Sequence, residues 1–503
     1  MKQLKLFILI IFAIGFAGRD AYCQDMKDDY ESFKKQAQKD YGDFKKNSRE
    51  EYEAFRKKVN EEYAEFLKNP WKEFKKEPVI PKPKDEEVPP KPIDEEEKDK
   101  APIDNPIPIK DILPPAPEPE PQPLPVVPIY KEIEQGEFEF LFFGTKMTVD
   151  LGDKNRFSLP KATPDAVSKA WTFCCSSDFN NVIRDCLKLR INHQLNDWAY
   201  LLMLREMGEA FFGKNTNEAM FLAGFIYCQS GYKIRWAANS IGQLNIGVCT
   251  QHQLFDKTCY SYSGGYIFLL DDNQKFTWLF SESEYTGEKL MSLYFNYGNP
   301  KFDFNNQRPR SVRCNEGTFD IPNNKNLIDL YNKYPTSTHL NNLMTRWAMY
   351  AETPLSQETK DILYPRLKNM INGKNSYDAV KAILNFINNN YYNNFPYGYD
   401  DEVWGCDRAL FPEETIYYPL SDCEDHAILF ARLVRDLLDY DVVLVYIPGH
   451  LTTAVDIPND NRGDYLMTGN RIYTICDPTY FNSNPGQKMP DLDYSAPLVI
   501  NVR

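Results

Sequence analysis

The sequence has no excess of basic residues and no long apolar run. Among its 503 residues, 58 are lysine or arginine and 72 are aspartate or glutamate, so the formal net charge is −14. A surface of this sign repels a phosphate backbone, which argues against nucleic acid as a partner. The main apolar run, Leu6 to Ala17, is too short to cross a bilayer as a helix of the mature protein. We therefore expect no transmembrane segment in the mature chain.

The cysteines do not suggest a disulfide framework. The chain has 11 of them, an odd number remains after Cys23 and Cys423 are set aside, and Cys174 and Cys175 are adjacent. Small exported domains that depend on disulfides usually carry an even set of cysteines. We expect mostly buried thiols instead.

Residues 1–23 have the pattern of a signal peptide. Lys2 and Lys5 precede the apolar run, and small residues follow it. Cleavage after Ala17, cleavage after Cys23 and a lipid anchor on Cys23 all fit these residues. Each of them predicts an exported protein, whether periplasmic, attached to the cell surface or secreted.

An 11-residue repeat follows, within a predicted helical stalk at residues 24–76. A tyrosine and a phenylalanine three residues apart recur in register, at Tyr30-Phe33, Tyr41-Phe44, Tyr52-Phe55 and Tyr63-Phe66. Eleven residues make almost three helical turns, so these positions form one narrow stripe along an amphipathic helix. The stripe predicts self-association through residues 28–74. A solvated, charged helix is the alternative.

Residues 77–128 are rich in proline and acidic residues. Such a chain is extended and repels itself, so it predicts a semi-rigid linker. It could also be a ligand for domains that bind proline-rich segments, although a spacer is the commoner use.

The stretch that carries the chemistry runs from Tyr417 to Leu438. Ser421 and Asp422 are of helix-capping types, and apolar residues then recur at helical spacing, so a buried helix is predicted to begin here. Cys423 falls in its first turn, where the unpaired N–H groups and the helix dipole favour a thiolate. Cys423 is therefore a candidate nucleophile, which needs a base nearby.

The chain that follows provides a base and a carboxylate. A predicted strand over residues 441–448 ends at Pro448-Gly449, and His450 opens the next strand. A returning strand, 471–476, ends at Asp477. The residue types and their order are those of a Cys-His-Asp triad.

These motifs resemble the bacterial transglutaminase-like superfamily. The residues concerned are Asp-Cys-Glu-Asp-His-Ala from Asp422, Pro-Gly-His ending at His450, and Ile-Cys-Asp-Pro-Thr-Tyr around Asp477. The resemblance covers residues 355–503 and implies a papain-like thiol enzyme fold. It implies Cys423 as nucleophile, His450 as general base and acid, and Asp477 as the group that orients the imidazole. Two positions depart from the family pattern, Ser421 in place of a glycine and Leu451-Thr452-Thr453 in place of an aromatic residue.

Asp422, Glu424 and Asp425 surround the predicted nucleophile with carboxylates. They either cap the helix or, as the resemblance implies for some family members, bind calcium. Capping is the simpler interpretation. A zinc site made of Cys423, His450, Asp477 and the nearby His426 is a further alternative, but its spacing matches no compact zinc motif. No other cofactor is expected.

The region before the catalytic domain is predicted as an α+β accessory domain, residues 129–318, followed by a bridge at 319–354. A helix from Asn217 and strands near 232–237, 244–250 and 266–270 repeat the order of elements in the catalytic domain, and Asp271 closes them. The accessory domain is therefore either a degenerate transglutaminase-like unit or an ordinary α+β domain. The fold class of the whole chain is α+β.

Two functions are compatible with these residues. The first is an exported thiol enzyme that acts by acyl transfer on protein or peptide amides, as a cysteine peptidase or a transglutaminase. The second is a scaffold or binding protein that keeps the fold without turnover. The triad favours the enzyme.

Overall fold

A computed structural model of the chain describes residues 54–81, 92–93, 105–109, 111–113, 138–262, 265–271, 276–282, 288–295, 298–314, 316–339, 346–389, 393–398, 408–460 and 463–502. The predicted signal peptide, the first two copies of the repeat and most of the predicted linker lie outside these residues. The α helices in the described part are α1 (Pro164–Cys174), α2 (Asn180–Asn192), α3 (Asp197–Phe212), α4 (Asn217–Gln229), α5 (Lys325–Tyr331), α6 (Arg346–Glu352), α7 (Gln357–Ile371), α8 (Ser376–Asn388), α9 (Pro412–Tyr417) and α10 (Cys423–Leu438).

The strands confirm the α+β class. They are β1 (Asn105–Ile107), β2 (Asp111–Leu113), β3 (Phe138–Phe142), β4 (Thr145–Val149), β5 (Ile234–Asn239), β6 (Leu244–Thr250), β7 (His252–Leu254), β8 (Cys259–Tyr262), β9 (Gly265–Leu269), β10 (Trp278–Phe280), β11 (Arg310–Cys314), β12 (Gly317–Ile321), β13 (Ser337–His339), β14 (Val442–Ile447), β15 (His450–Val455), β16 (Asp464–Thr468), β17 (Arg471–Cys476) and β18 (Leu498–Asn501).

The chain divides into two compact units, residues 1–62 and 63–503. In the first unit, residues 54–62 are helical, and two ion pairs four residues apart, Lys57–Glu61 and Lys58–Glu62, lie on the exposed surface. Pairs at this spacing add a few tenths of a kcal/mol each to a helix. Phe55, from the third copy of the repeat, is 62% exposed.

The second unit contains one hydrophobic cluster that extends along the chain from Tyr63 to Ile500. Aromatic contacts cross the predicted domain boundaries within it. The rings of Tyr331 and Phe411 lie 4.4 Å apart, and Trp347 lies 5.5 Å from Tyr446. The predicted accessory, bridge and catalytic segments therefore share a core.

A five-stranded antiparallel sheet in the order β10-β5-β6-β9-β8 forms the first part of this unit, and α4 packs on β6. The predicted helix from Asn217 and the strands β5, β6 and β9 are confirmed as elements. Helices α1, α2 and α3 come before this sheet in the chain.

A seven-stranded sheet in the order β1-β16-β17-β15-β14-β18-β2 forms the second part. Helix α10 packs on β14 and β15. Along the sheet from β16 to β18, each strand pairs antiparallel with its neighbour. None of the helices in the described ranges is both long and apolar enough to cross a bilayer.

The edges of this sheet correct the linker prediction. Strands β1 and β2 come from the predicted linker, and each pairs in parallel with an outer strand, β16 or β18. Proline lacks the N–H that a central strand needs, so Pro106 indicated a spacer, but an edge strand tolerates it. The Asn105 side chain also donates to Asp464 over 2.6 Å. These parts of the linker belong to the folded unit.

The end of the predicted stalk also belongs to the folded unit. Tyr63, Leu67 and Trp71 are buried in its core, and the Tyr63 ring lies 4.5 Å from that of Trp171. Phe66, which should share the stripe with Tyr63, is 53% exposed. The stripe prediction is wrong for this copy, because Leu67 and Trp71, which are not part of the repeat, define the buried face.

A matched pair of substitutions tests the edge strands. Ile107 in β1 is 5% exposed and packs in the core of the sheet, whereas Ile112 in β2 is 42% exposed. We expect Ile107→Asp to lower the free energy of unfolding by about 3 kcal/mol, because it buries an unpaired charge. Ile112→Asp should cost less than about 1 kcal/mol. Urea unfolding of the full chain measures both, and equal, small losses would show that β1 does not pair in solution.

Candidate active site

Helix α10 begins at Cys423 because its first turn is capped on both sides. Asp422 has extended backbone angles and forms a capping box with Asp425. One oxygen of Asp425 accepts from the Asp422 N–H over 3.3 Å, and the other accepts from the Leu410 N–H over 2.7 Å. Asp425 thus joins the helix start to the chain that precedes α9. The apolar residues at helical spacing are buried as predicted, which fixes the helix under the sheet.

Cys423 lies in the first turn of α10 and is 4% exposed. Its thiol donates to Glu424 Oε2 over 3.3 Å. Glu424 is itself nearly buried, at 5% exposure. The thiol therefore lies at the positive end of the helix dipole with a carboxylate as its immediate neighbour.

His450 and Asp477 form the polar pair that the sequence predicts. His450 is the first residue of β15, Asp477 follows β17, and His450 Nε2 lies 2.8 Å from Asp477 Oδ2. The second oxygen of Asp477 accepts from the Thr479 N–H, the Thr479 hydroxyl and the Tyr480 N–H at 2.9–3.2 Å. Both side chains are buried. The carboxylate is thus held in one orientation against the imidazole.

The charge of Asp477 is maintained in spite of burial. Burial alone raises the pKa of Asp477, but the His450 imidazole and the hydrogen bonds from Thr479 outweigh it and hold the pKa below its usual value. An ionised Asp477 fixes which imidazole nitrogen faces it. His450 Nδ1 remains, and it has no hydrogen-bond partner within the described ranges.

The His450–Asp477 pair lies close to the first turn of α10. The helix packs on β15, and His426, one turn into the helix, is near enough to Asp477 for that carboxylate to act on its pKa. Cys423, His450 and Asp477, the three predicted catalytic residues, are all buried, and the elements that carry them, α10, β15 and β17, pack against one another in sequence.

His426 has a role that the sequence did not indicate. Its Nε2 lies 2.9 Å from the Ser421 hydroxyl, and the rings of Phe395 and Tyr397 each lie 6.5 Å from its own. Burial lowers the pKa of His426 to about 4, so the ring is neutral near pH 7. Ser421, which immediately precedes the cap residue Asp422, thus holds the His426 ring in the first turn of α10.

Two charged residues, the half-buried Arg310 and the buried Glu413, position the chain that precedes Cys423. Arg310 of β11 donates to the carbonyl oxygens of Ile416, over 2.9 Å, and of Tyr418. Glu413 accepts from the Ser356 N–H, the Ser356 hydroxyl and the Thr359 hydroxyl at 2.5–2.9 Å. A glutamate in a sequence indicates an exposed position, so nothing in the sequence distinguishes Glu413 from solvated glutamates.

The contacts of Asp425 and Glu424 bear on the choice between capping and calcium. Each oxygen of Asp425 already accepts a backbone N–H, and Glu424 accepts from the thiol. Across the described part of the chain, no group of three or more histidine, cysteine, aspartate or glutamate residues has the arrangement to hold a metal ion. These contacts favour capping as the role of Asp425.

The nine cysteines of the described ranges form no disulfide with one another, and eight of them are buried. This agrees with the expectation of buried thiols.

No family model, curated protein or solved structure matches this chain.

The lowered pKa of His426 makes stability depend on pH. The unfolded chain binds a proton near pH 6.5, whereas the folded chain does so only near pH 4, so stability is lost as the pH falls through this window. Between pH 7 and pH 4.5 the histidine should account for about 2 kcal/mol of lost unfolding free energy. Over the same pH range, the unfolding free energy of His426→Gln, measured with urea, should fall by less than that of the unaltered protein, and the difference should be that amount. Identical pH dependence in both proteins would contradict the assignment.

The capping role of Asp425 predicts a flat response to a calcium chelator. The thermal midpoint should not change when EGTA is added, whereas Asp425→Ala should cost about 1–2 kcal/mol because two backbone N–H groups lose their acceptor. A midpoint that falls with EGTA and recovers with calcium would instead show that calcium binds.

Proposed function

We propose that this chain is an exported thiol enzyme that resembles the transglutaminase-like superfamily and acts by acyl transfer on protein or peptide amides. The observation that carries the proposal is the buried 2.8 Å contact between His450 Nε2 and Asp477 Oδ2, near the helix start that holds Cys423. The papain-like fold and the signal peptide are part of the same proposal. The arrangement of the antiparallel strands β14 to β17 beside α10 supports it.

The chemistry would use the two nitrogens of His450 for different tasks. Asp477 accepts from Nε2, which leaves Nδ1 to take the proton from the Cys423 thiol. The thiolate attacks the carbonyl carbon of an amide, and the proton on Nδ1 passes to the nitrogen of the leaving amine. A thioester at Cys423 remains.

The second half of the reaction reverses these transfers. His450 takes a proton from water or from an acceptor amine, the oxygen or nitrogen attacks the thioester, and the proton returns to the sulfur of Cys423 as the acyl group leaves. Water makes the enzyme a peptidase, and an amine makes it a transglutaminase. Glu424 accepts from the thiol in the resting structure, so the thiol must turn to His450 before attack.

The second candidate, a scaffold without turnover, has one observation in its favour. Cys423 is 4% exposed and His450 is 2% exposed, so substrate reaches them only if the surrounding chain opens. A protein that keeps the fold for binding alone would need no such opening.

Thiol reactivity distinguishes the two candidates. Cys175 is more exposed than Cys423, so accessibility alone predicts that iodoacetamide labels Cys175 first. In the enzyme, Cys423 should react faster near neutral pH, because His450 takes its proton. Mass spectrometry of the labelled peptides measures both rates. Faster labelling of Cys175 would favour the scaffold.

Activity of the triad variants follows the roles of the residues. On peptide and amine-acceptor libraries, Cys423→Ala and His450→Ala should abolish turnover, because each removes a group that exchanges atoms or protons with the substrate. Asp477→Ala should reduce kcat by a factor roughly a hundred times smaller than Cys423→Ala does, because Asp477 only orients the base. Circular dichroism establishes that each variant is folded. An activity that Cys423→Ala retains would end the enzyme proposal.

A further inference from the structure

The two sheets of the second unit share one arrangement. In the first, α4 is followed by β5, β6, β8 and β9, which lie in the order β5-β6-β9-β8. In the second, α10 is followed by β14, β15, β16 and β17, which lie in the order β14-β15-β17-β16. All of these pairs are antiparallel, and α4 packs on β6 as α10 packs on β15. The first set of elements therefore repeats the second.

The repeat extends to single positions. Asn217, the first residue of α4, lies 206 residues before Cys423, the first residue of α10. Leu244 opens β6 and His450 opens β15, and Asp271 and Asp477 follow the last strands, at the same separation of 206 (244 to 450 and 271 to 477). The register agrees as well, since Tyr260 pairs with Ile267 and Leu466 with Tyr473.

A cavity of about 330 Å³ lies at the repeated site, and Asn217, Leu244 and Asp271 all line it. Its volume falls at the lower end of the range for ligand pockets. The described residues that line it include no cysteine and no histidine. The cavity thus has the place of the candidate active site without a nucleophile or a base.

Side chains fix the walls of this cavity. Asn217 Oδ1 accepts from the Leu244 N–H over 2.8 Å, and its Nδ2 donates to the carbonyl oxygens of Leu159 and Gly242 at 2.9–3.0 Å. Asn245 bonds in both directions to the backbone of Asp271, over 2.6 and 3.3 Å. These hydrogen bonds fix the start of α4, the start of β6 and the residues after β9 relative to one another, so the walls of the cavity keep their positions.

The charge at the cavity is balanced. Arg205 is the basic residue among the described residues that line it, and it lies 2.8 Å from Glu209 and 2.6 Å from Asp271. An anionic ligand would have to compete with both carboxylates. A cationic ligand would likewise have to displace Arg205 from Asp271, so these ion pairs favour a ligand portion without charge.

The remaining lining residues favour a polypeptide over a sugar. Trp278 is 4% exposed and packs in the core of the sheet, so it offers no open face on which a sugar ring could stack. Met220 and Leu244 are buried and contribute apolar surface, and Asn215 and Gln243 are exposed and contribute side-chain amides. The Gln243 oxygen already accepts from Asn239 over 2.8 Å, which leaves its N–H groups as donors. Amide groups provide both the donors and the acceptors that a peptide backbone requires.

We propose that this cavity is a second, non-catalytic binding site that holds an uncharged segment of a polypeptide. The proposal rests on the proposed function, since it assigns to the repeated site the same substrate class as the active site. A polypeptide bound there is tethered to the enzyme, so its local concentration near Cys423 rises without any new catalytic group.

Two tryptophan substitutions on one turn provide the test. Gln243 lines the cavity, whereas Ile241 lies on the same turn, is 56% exposed and does not line it. Gln243→Trp should obstruct the mouth of the cavity, and Ile241→Trp is the matched control. Both positions lie on the surface, so both variants should fold, which thermal unfolding establishes.

Binding is measured on the full chain with Cys423→Ala, so that no turnover occurs. The probe is a mixture of uncharged hexapeptides with acetylated and amidated ends, and binding at the cavity is followed through the methyl NMR signal of Met220, which lines it. We expect Gln243→Trp to weaken peptide binding about tenfold or more and Ile241→Trp to change it by less than about twofold. Equal binding in both variants, or binding of an oligosaccharide mixture in place of the peptides, would overturn the proposal.

Failure of this proposal and failure of the proposed function give different results. If Cys423→Ala retained activity, the enzyme proposal would fail while the effect of Gln243→Trp on binding could still be measured. If the peptides bound equally to Gln243→Trp, the second site would fail while the loss of activity in Cys423→Ala remained. In the active enzyme, Gln243→Trp should raise KM for long substrates and leave kcat unchanged.

Discussion

The hydrogen bond between His450 and Asp477 depends on the register of two strands. Strand β15 pairs with β17 so that Thr453 lies opposite Cys476, and this register brings the residue after β17 to the first residue of β15. A slip of one residue would move the side chains of one strand to the opposite face and separate the pair. Because both side chains are buried, neither could then find water as a substitute. The sheet, the helix beneath it and the edge strands all contribute to keeping this register.

Much of the site follows from sequence patterns that have a direct physical cause. Strand β14 is a run of β-branched and apolar residues bounded by Pro448-Gly449, and α10 has apolar residues at helical spacing behind capping residues. These patterns predicted, to within a residue, the helix that begins at Cys423, the strand that begins at His450 and the strand that ends before Asp477. They did so because a helix or strand with one buried face has its apolar residues at regular spacing in the sequence. The contact between His450 and Asp477 was predicted only from the order of the residues.

Other features left no such trace. Glu413 and Arg310 are charged residues that the folded chain buries against hydroxyls and backbone carbonyls, and charge in a sequence indicates a surface. Strand β1 contains a proline, which indicates a turn or a spacer unless the neighbouring strand is already known. The burial of these charges and the pairing of β1 depend on partners that lie on other elements or hundreds of residues away, so a local pattern could not predict them.

The repeated arrangement separates what the fold supplies from what the side chains supply. Both copies present a helix start, a strand start and a carboxylate after the returning strand, yet their side chains are satisfied in opposite ways. In the first copy, the Asn217 side-chain amide hydrogen-bonds to the surrounding backbone, and Asp271 forms an ion pair with Arg205. In the second copy, Asp477 faces an imidazole whose other nitrogen stays available within the described structure. The side chains of the first copy are engaged with one another and with the backbone, whereas the second copy leaves one imidazole nitrogen for proton transfer. Our two proposals therefore assign binding to the first copy and chemistry to the second.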